Sequence, residues 1–324
     1  MEQQGSATVI SKARRDADLA ALAACVLFNF GELYTSQRIQ MELVASHMRI
    51  VWSMNKCREY VTSGYPCEPI LASAALHHIH EVDSQKERYV MLCGMQNAVV
   101  ERHIAKGERG ELLARLILIL AYCDAVPFPA TSSHLKPIPS VSVKRFLDAL
   151  LPIDIGQFWA SSPCWGGSHA ARAEKDFGHA EVYFTHFVQY KTTPMVKHLW
   201  AAIVRGQAIQ CSYQQEGVDI VIPVVLNPTA CLTEGHMSAI LIQVRNRVSI
   251  AVDFPDAASL GILGCETPYI SIVFQLGLKD AGGRQIKYSA HGPVTNICIH
   301  SYTTCAITPY EHPSSANQRR AVLH

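Results

Sequence analysis

Along the first half of the chain, apolar side chains recur at helical spacing. Leu19, Leu22, Val26 and Phe30 share one helix face, and Leu112, Leu113, Leu116, Ile117 and Leu120 share another. The spacing predicts an α-helical bundle over residues 1–152. The run LLARLILILAYCDAV from Leu112 holds Arg115 and falls short of the ~20 apolar residues of a membrane span, so it reads as a buried helix. Residues 127–140, PFPATSSHLKPIPS, contain four prolines and form a loop into a further helix, VSVKRFLDALL. Residues 153–180, with SSPCWGGSHA, read as a connector.

Beyond the connector the period changes from helical to alternating. Thr193 before Pro194 predicts a helix N-cap, and Val196, Leu199, Trp200, Ile203 and Val204 supply an apolar stripe that Gly206 ends. The runs QAIQC, VDIVIPVVL and SAILIQVRN follow as strands, and PYISIVFQLG and TNICIHSY as two more. The order is helix, three strands, a poorly defined segment and two strands, within residues 181–302. Residues 303–324, including TPYEHPSSANQRRAVLH, read as a disordered tail. The chain is therefore expected to be an α+β protein.

Two of these strands are interrupted by polar residues where a buried strand should stay apolar. A hairpin across NPTACLTEG has its midpoint near Cys231, which places Asp219 opposite Gln243. Residues two apart on a strand share a face, so Arg245 joins them, while Ile220, Ile222, Ile240, Ile242 and Val244 fill the other side. Pro223 within the second strand argues for an edge or a bulge, and a one-residue slip would turn Asp219 away from Gln243. A carboxylate with a second oxygen ligand and a nearby cation is the combination that holds Mg²⁺ and steadies a phosphate or an attacking water.

Composition narrows the partners little. The 324 residues carry 28 basic and 27 acidic side chains, a net charge of +1, so no global field draws the chain to nucleic acid or an anionic membrane. Hydrophobic content of 49% is ample for a core. Eleven scattered cysteines without a CxxC pair, and an N-terminus lacking an apolar signal core, predict an intracellular, reduced protein.

The polar corner resembles the PD-(D/E)xK nuclease superfamily, whose core is helix, three strands, helix, strand. There an Asp opens the second strand and Glu/Gln-x-Lys lies on the third; the matching positions here are Asp219, Gln243 and Arg245. The stretches GERGELLARLILILAYCDAV, HAEVYFTHFVQY, LWAAIVRGQAIQC and QEGVDIVIPVVL with SAILIQVRN, across residues 107–280, further resemble a family of fungal proteins similar to crinkler-type effectors. In those effectors a P-loop NTPase module can precede a nuclease-like domain, but no GxxxxGK[ST] occurs in this sequence. The resemblance implies a restriction-endonuclease-like core with a mixed sheet, Asp219 and Gln243 as ligands of Mg²⁺, Arg245 at the scissile phosphate, DNA as substrate and a nuclear destination. Two positions depart from the pattern. Gln243 replaces an anionic Glu and weakens the field for a divalent ion, and Arg245, never neutral and bulkier than Lys, replaces the compact ammonium.

Two readings follow. In the first, Asp219, Gln243 and Arg245 catalyse Mg²⁺-dependent hydrolysis of DNA. In the second, the same fold and the helical half serve as a non-catalytic module that binds protein or nucleic acid. Other candidates carry less. His77, His78 and His80 with Glu81 match no zinc spacing and suit a polar turn after a helix; Ser168 in WGGSH lacks the G-x-S-x-G elbow. Lys191, Lys197, Arg205, Arg245 and Arg247 could rim a phosphate backbone, but Glu216, Asp219 and Glu234 offset much of that charge.

Overall fold

A computed structural model describes residues 17–18, 20–27, 34–46, 49–57, 60–64, 69–81, 109–128, 138–151, 174–212, 215–230, 233–245, 254–257, 260–264, 267–275, 285–291 and 294–300. They fall into two compact units, one within residues 1–113 and the other from Ala114 onward. The division lies inside a helix at 113, whereas the sequence pattern placed it at 152.

In the first unit, residues 20–26 are helical and bury Leu22 and Val26 as their spacing predicts. α1 (Tyr34–Ser46), β1 (Ile50–Met54), β2 (Val61–Gly64) and α2 (Pro69–Glu81) follow. α2 buries Ala72, Ala75, Leu76 and Ile79, a helical stripe. The β1–β2 ribbon departs from an all-helical first half. Its two strands are antiparallel, with Trp52 left over between Val51↔Ser63 and Ser53↔Thr62. α1 holds the ribbon through side chains. Gln37 Oε1 accepts the Val61 N–H at 2.6 Å, and Gln40 Oε1 accepts the Ser63 N–H at 3.1 Å and its hydroxyl at 2.8 Å. Arg49, buried, donates from Nε to Ser63 Oγ and from Nη2 to Ser63 O, both at 2.7 Å.

α3 (Arg109–Ala125) enters the second unit at Ala114 and is buried on all sides, Arg115 included at 1% exposure. Tyr122 on α3 donates to Pro139 O at 3.0 Å and packs against Phe146 and Phe184. β3 (Val141–Ser142) leads into α4 (Val143–Leu150), whose N-cap Ser142 accepts the Arg145 N–H at 3.2 Å. The remaining elements are β4 (Glu181–Val182), β5 (His186–Gln189), α5 (Val196–Val204), β6 (Gln207–Gln210), β7 (Ile220–Val225), β8 (Met237–Arg245), β9 (Tyr269–Gln275), β10 (Gln285–His291) and β11 (Val294–His300).

Strands β3 to β11 form one mixed sheet in the order β10-β11-β9-β8-β7-β4-β3, with β6 also on β7 and β5 on β6. β8, β9 and β11 run parallel to one another, and β7 is antiparallel to β4, β6 and β8. The five strands expected from alternation are present as β6, β7, β8, β9 and β11; β3, β4, β5 and β10 are additional. The α+β class holds. One face of the sheet buries Val221, Ala239 and Leu241 beneath Leu199, Ala202 and Ile203 of α5. Alternation puts Ile220, Ile222, Ile240, Ile242 and Ile272 on the other face, all fully buried.

Gly206 ends α5 in the left-handed region at φ +63°, as expected. The start of α5 differs from the sequence reading. Met195 is the N-cap and its N–H donates to His198 Nδ1 at 3.0 Å, while Thr193 donates its hydroxyl to Gln215 Oε1 at 2.5 Å. Pro223 causes no bulge: β7 and β8 pair in unbroken register from Ile220↔Ile242 to Val225↔Met237. On its other side β7 meets β6 at residues 220–221 and β4 at 224–225, so proline occupies the gap where neither strand pairs. Residues 153–173 of the expected connector and the tail after 302 lie outside the described residues.

Candidate functional site

The register of β7 and β8 is symmetric about position 231, so extending it one step sets Asp219 against Gln243 as the sequence predicts. The backbone of Asp219 ties three strands together. Its carbonyl accepts the N–H of Cys211, just past β6, at 2.8 Å, and its N–H donates to Ile242 O at 2.9 Å. The carboxylate completes the corner: Oδ2 accepts the Val244 N–H at 2.6 Å. Asp219 is therefore bound to the β8 backbone.

Gln243 and Arg245 follow Leu241 on one face of β8, and each is half-buried. Gln243 Oε1 accepts from Arg245 Nε at 2.9 Å. Burial pushes the Asp219 carboxyl above the usual aspartate range, against the opposing pulls of the Val244 N–H and the Arg245 charge. The three residues share one corner, with Gln243 and Arg245 bonded to each other and Asp219 to the β8 backbone.

The corner offers a magnesium ion one carboxylate and one amide oxygen. Mg²⁺ requires hard oxygen ligands in octahedral array, usually with at least one free carboxylate. Here Oδ2 of the single carboxylate holds a backbone N–H, and the amide oxygen holds a guanidinium whose charge opposes a nearby cation. Among the described residues no group of three or more His, Cys, Asp or Glu side chains is arranged to hold a metal.

The other sequence candidates resolve into local structure. His77 is buried in α2, and His78 Nε2 lies 2.8 Å from Asp18 Oδ1. Lys191, Lys197 and Arg205 are exposed, as are Glu216 and Glu234. Ser168 and Arg247 lie outside the described residues. Sequence reasoning missed a cleft lined by Ser140, Glu181 and Tyr183. Only strand pairing brings Ser140 to Glu181, across 41 positions, so no local signal marked it.

Fold and corner together define an α+β protein with a mixed nine-stranded sheet, at whose corner the acid holds a backbone N–H and the amide oxygen holds the guanidinium. Residues 10–265 match the family described as a domain of unknown function (DUF8736), and the chain belongs to that family. No curated protein and no solved structure matches the chain. Among the described residues no helix is long and apolar enough to cross a membrane.

Proposed function

We propose that the protein is a non-catalytic binding module whose second unit keeps a restriction-endonuclease-like arrangement without a phosphodiester-cleaving centre. What supports the likeness is the succession α5, β6, β7, β8, with β9 parallel to β8 and Asp219, Gln243 and Arg245 at one corner. The observation that carries the non-catalytic reading is the internal use of that corner. Val244 N–H takes the carboxylate and Arg245 takes the amide oxygen, so both groups brace the end of the sheet.

A polypeptide partner is favoured over DNA by the surface of the first unit. All five residues of β1 are exposed, among them Ile50, Val51, Trp52 and Met54. The outer edge of β2 is occupied by Gln37 and Gln40, while β1 pairs only with β2 among the described residues. A free strand edge offers backbone donors and acceptors that an extended peptide matches, and apolar side chains on both of its faces suit such a segment. DNA would instead call for a continuous row of cations.

Incubating the purified chain with supercoiled plasmid and Mg²⁺ or Mn²⁺, beside Asp219→Ala, tests both parts. The expected outcome is no metal-dependent nicking by either protein and no gel-shift retention of DNA at physiological salt. Nicking that disappears in Asp219→Ala would overturn the non-catalytic reading, and salt-resistant retention would move the partner to nucleic acid.

A further inference from the structure

β7 runs from the Asp219 corner to a second feature at its other end. There Val225 pairs with Glu181 and Val224 with Val182, and beside them opens a cleft of about 420 Å³. That volume is in the range of small-molecule sites. Its walls are apolar, with Ile138, Ile203 of α5 and Val225, and its polar atoms come from Ser140, Glu181 and Tyr183.

The charge in the cleft is one-sided. Glu181 is the only ionisable acid or base of ordinary pH range among the lining residues, and among the described residues it forms no ion pair. Ser140 Oγ donates to Glu181 Oε2 at 2.5 Å, which orients the carboxylate and leaves Oε1 as an acceptor. Tyr183 is an uncharged phenol at physiological pH, burial pushes its phenol further up, and its hydroxyl has no hydrogen-bond partner among the described residues. Gly206 positions that ring: a Cβ there would come within 3.0 Å of Tyr183 Cε1, and its φ of +63° already favours glycine.

We propose that this cleft binds a small organic ammonium, a primary amine carried on an apolar stem. The ammonium meets Glu181 Oε1 in a charge-assisted hydrogen bond, and the stem lies against Ile203 and Val225. An anion would face the Glu181 carboxylate, and a neutral apolar molecule would desolvate it without return. The inference does not rest on the Asp219 corner, so active phosphodiester cleavage would leave it standing.

Titration of the ¹⁵N-labelled full chain with benzylammonium, benzyl alcohol and benzoate tests the assignment through the amide shifts of Tyr183, Val225 and Ala230. Benzylammonium is expected to give saturable shifts at these positions, with affinity at least about tenfold above benzyl alcohol; benzoate should give none. Glu181→Gln should weaken benzylammonium by a similar factor, and Ala230→Phe, which fills the cleft, should remove the shifts while the remaining spectrum is kept. Absence of saturable shifts in the wild type, or equal affinity in Glu181→Gln, would overturn the proposal.

Discussion

Asp219 carries two opposed effects on stability. Its carboxylate satisfies the Val244 N–H, and burial penalises its charge. Alanine removes the acceptor and leaves a half-buried backbone donor without a partner, which costs about 1–3 kcal/mol. Asparagine keeps an oxygen for the Val244 N–H and removes the desolvated charge, though it also loses the attraction of Arg245. Urea unfolding is therefore expected to show Asp219→Ala destabilised by about 1–3 kcal/mol and Asp219→Asn by less than about 1 kcal/mol. Equal loss in both variants would mean that the charge, and not the backbone hydrogen bond, holds the corner. The residue-level pattern that suggested a metal ligand is thus also the pattern of a strand-end brace, because both uses place an acid where a buried strand begins.

At the scale of elements, the β1–β2 ribbon contains a close approach between Gly64 and Trp52. A Cβ at Gly64 would collide with the Trp52 indole, which is the unpaired residue of the ribbon's bulge. Trp52 is exposed, so Gly64→Ala should cost only about 0.5 kcal/mol while it displaces the indole. A change in tryptophan fluorescence that vanishes in a Trp52→Phe background would report this, and an unchanged spectrum would refute the contact. The ribbon was not legible in the sequence, since IVWSM and VTSG are short and only half-alternating. By contrast β7 and β8 were, because each carries an unbroken apolar run and the polar residues Asp219, Gln243 and Arg245 mark their paired ends. Of the edge or bulge that Pro223 signalled, the structure has a local edge and no bulge, for a physical reason. A proline is excluded where a neighbour needs its N–H, and whether one does depends on β4 and β6, which no local pattern locates. The same dependence hid the Ser140–Glu181 cleft.

For the second unit, two buried groups contribute to acid stability with shifts that oppose one another. His186 on β5 is buried, receives or gives a hydrogen bond at 3.0 Å with Thr185 Oγ1, and is pushed by burial from the usual 6.5 down to about 4. Between those values the unfolded chain binds a proton that the folded chain refuses, so stability falls as pH drops from 6.5 toward 4. Asp219 works the other way. Its folded pKa lies above the unfolded value of about 3.9, so the folded chain holds the extra proton and stability falls as pH rises through that interval. Where the windows overlap, the two slopes partly cancel, and each has a limit of about 1.4 kcal/mol per pH unit for one proton. Urea midpoints measured from pH 4 to 7 should therefore separate them. His186→Gln is expected to lose the rise of stability with pH relative to wild type, and Asp219→Asn to show a steeper rise. Curves that stay parallel to wild type in both variants would mean that neither side chain sets the acid response, and that it comes instead from charges spread over the surface.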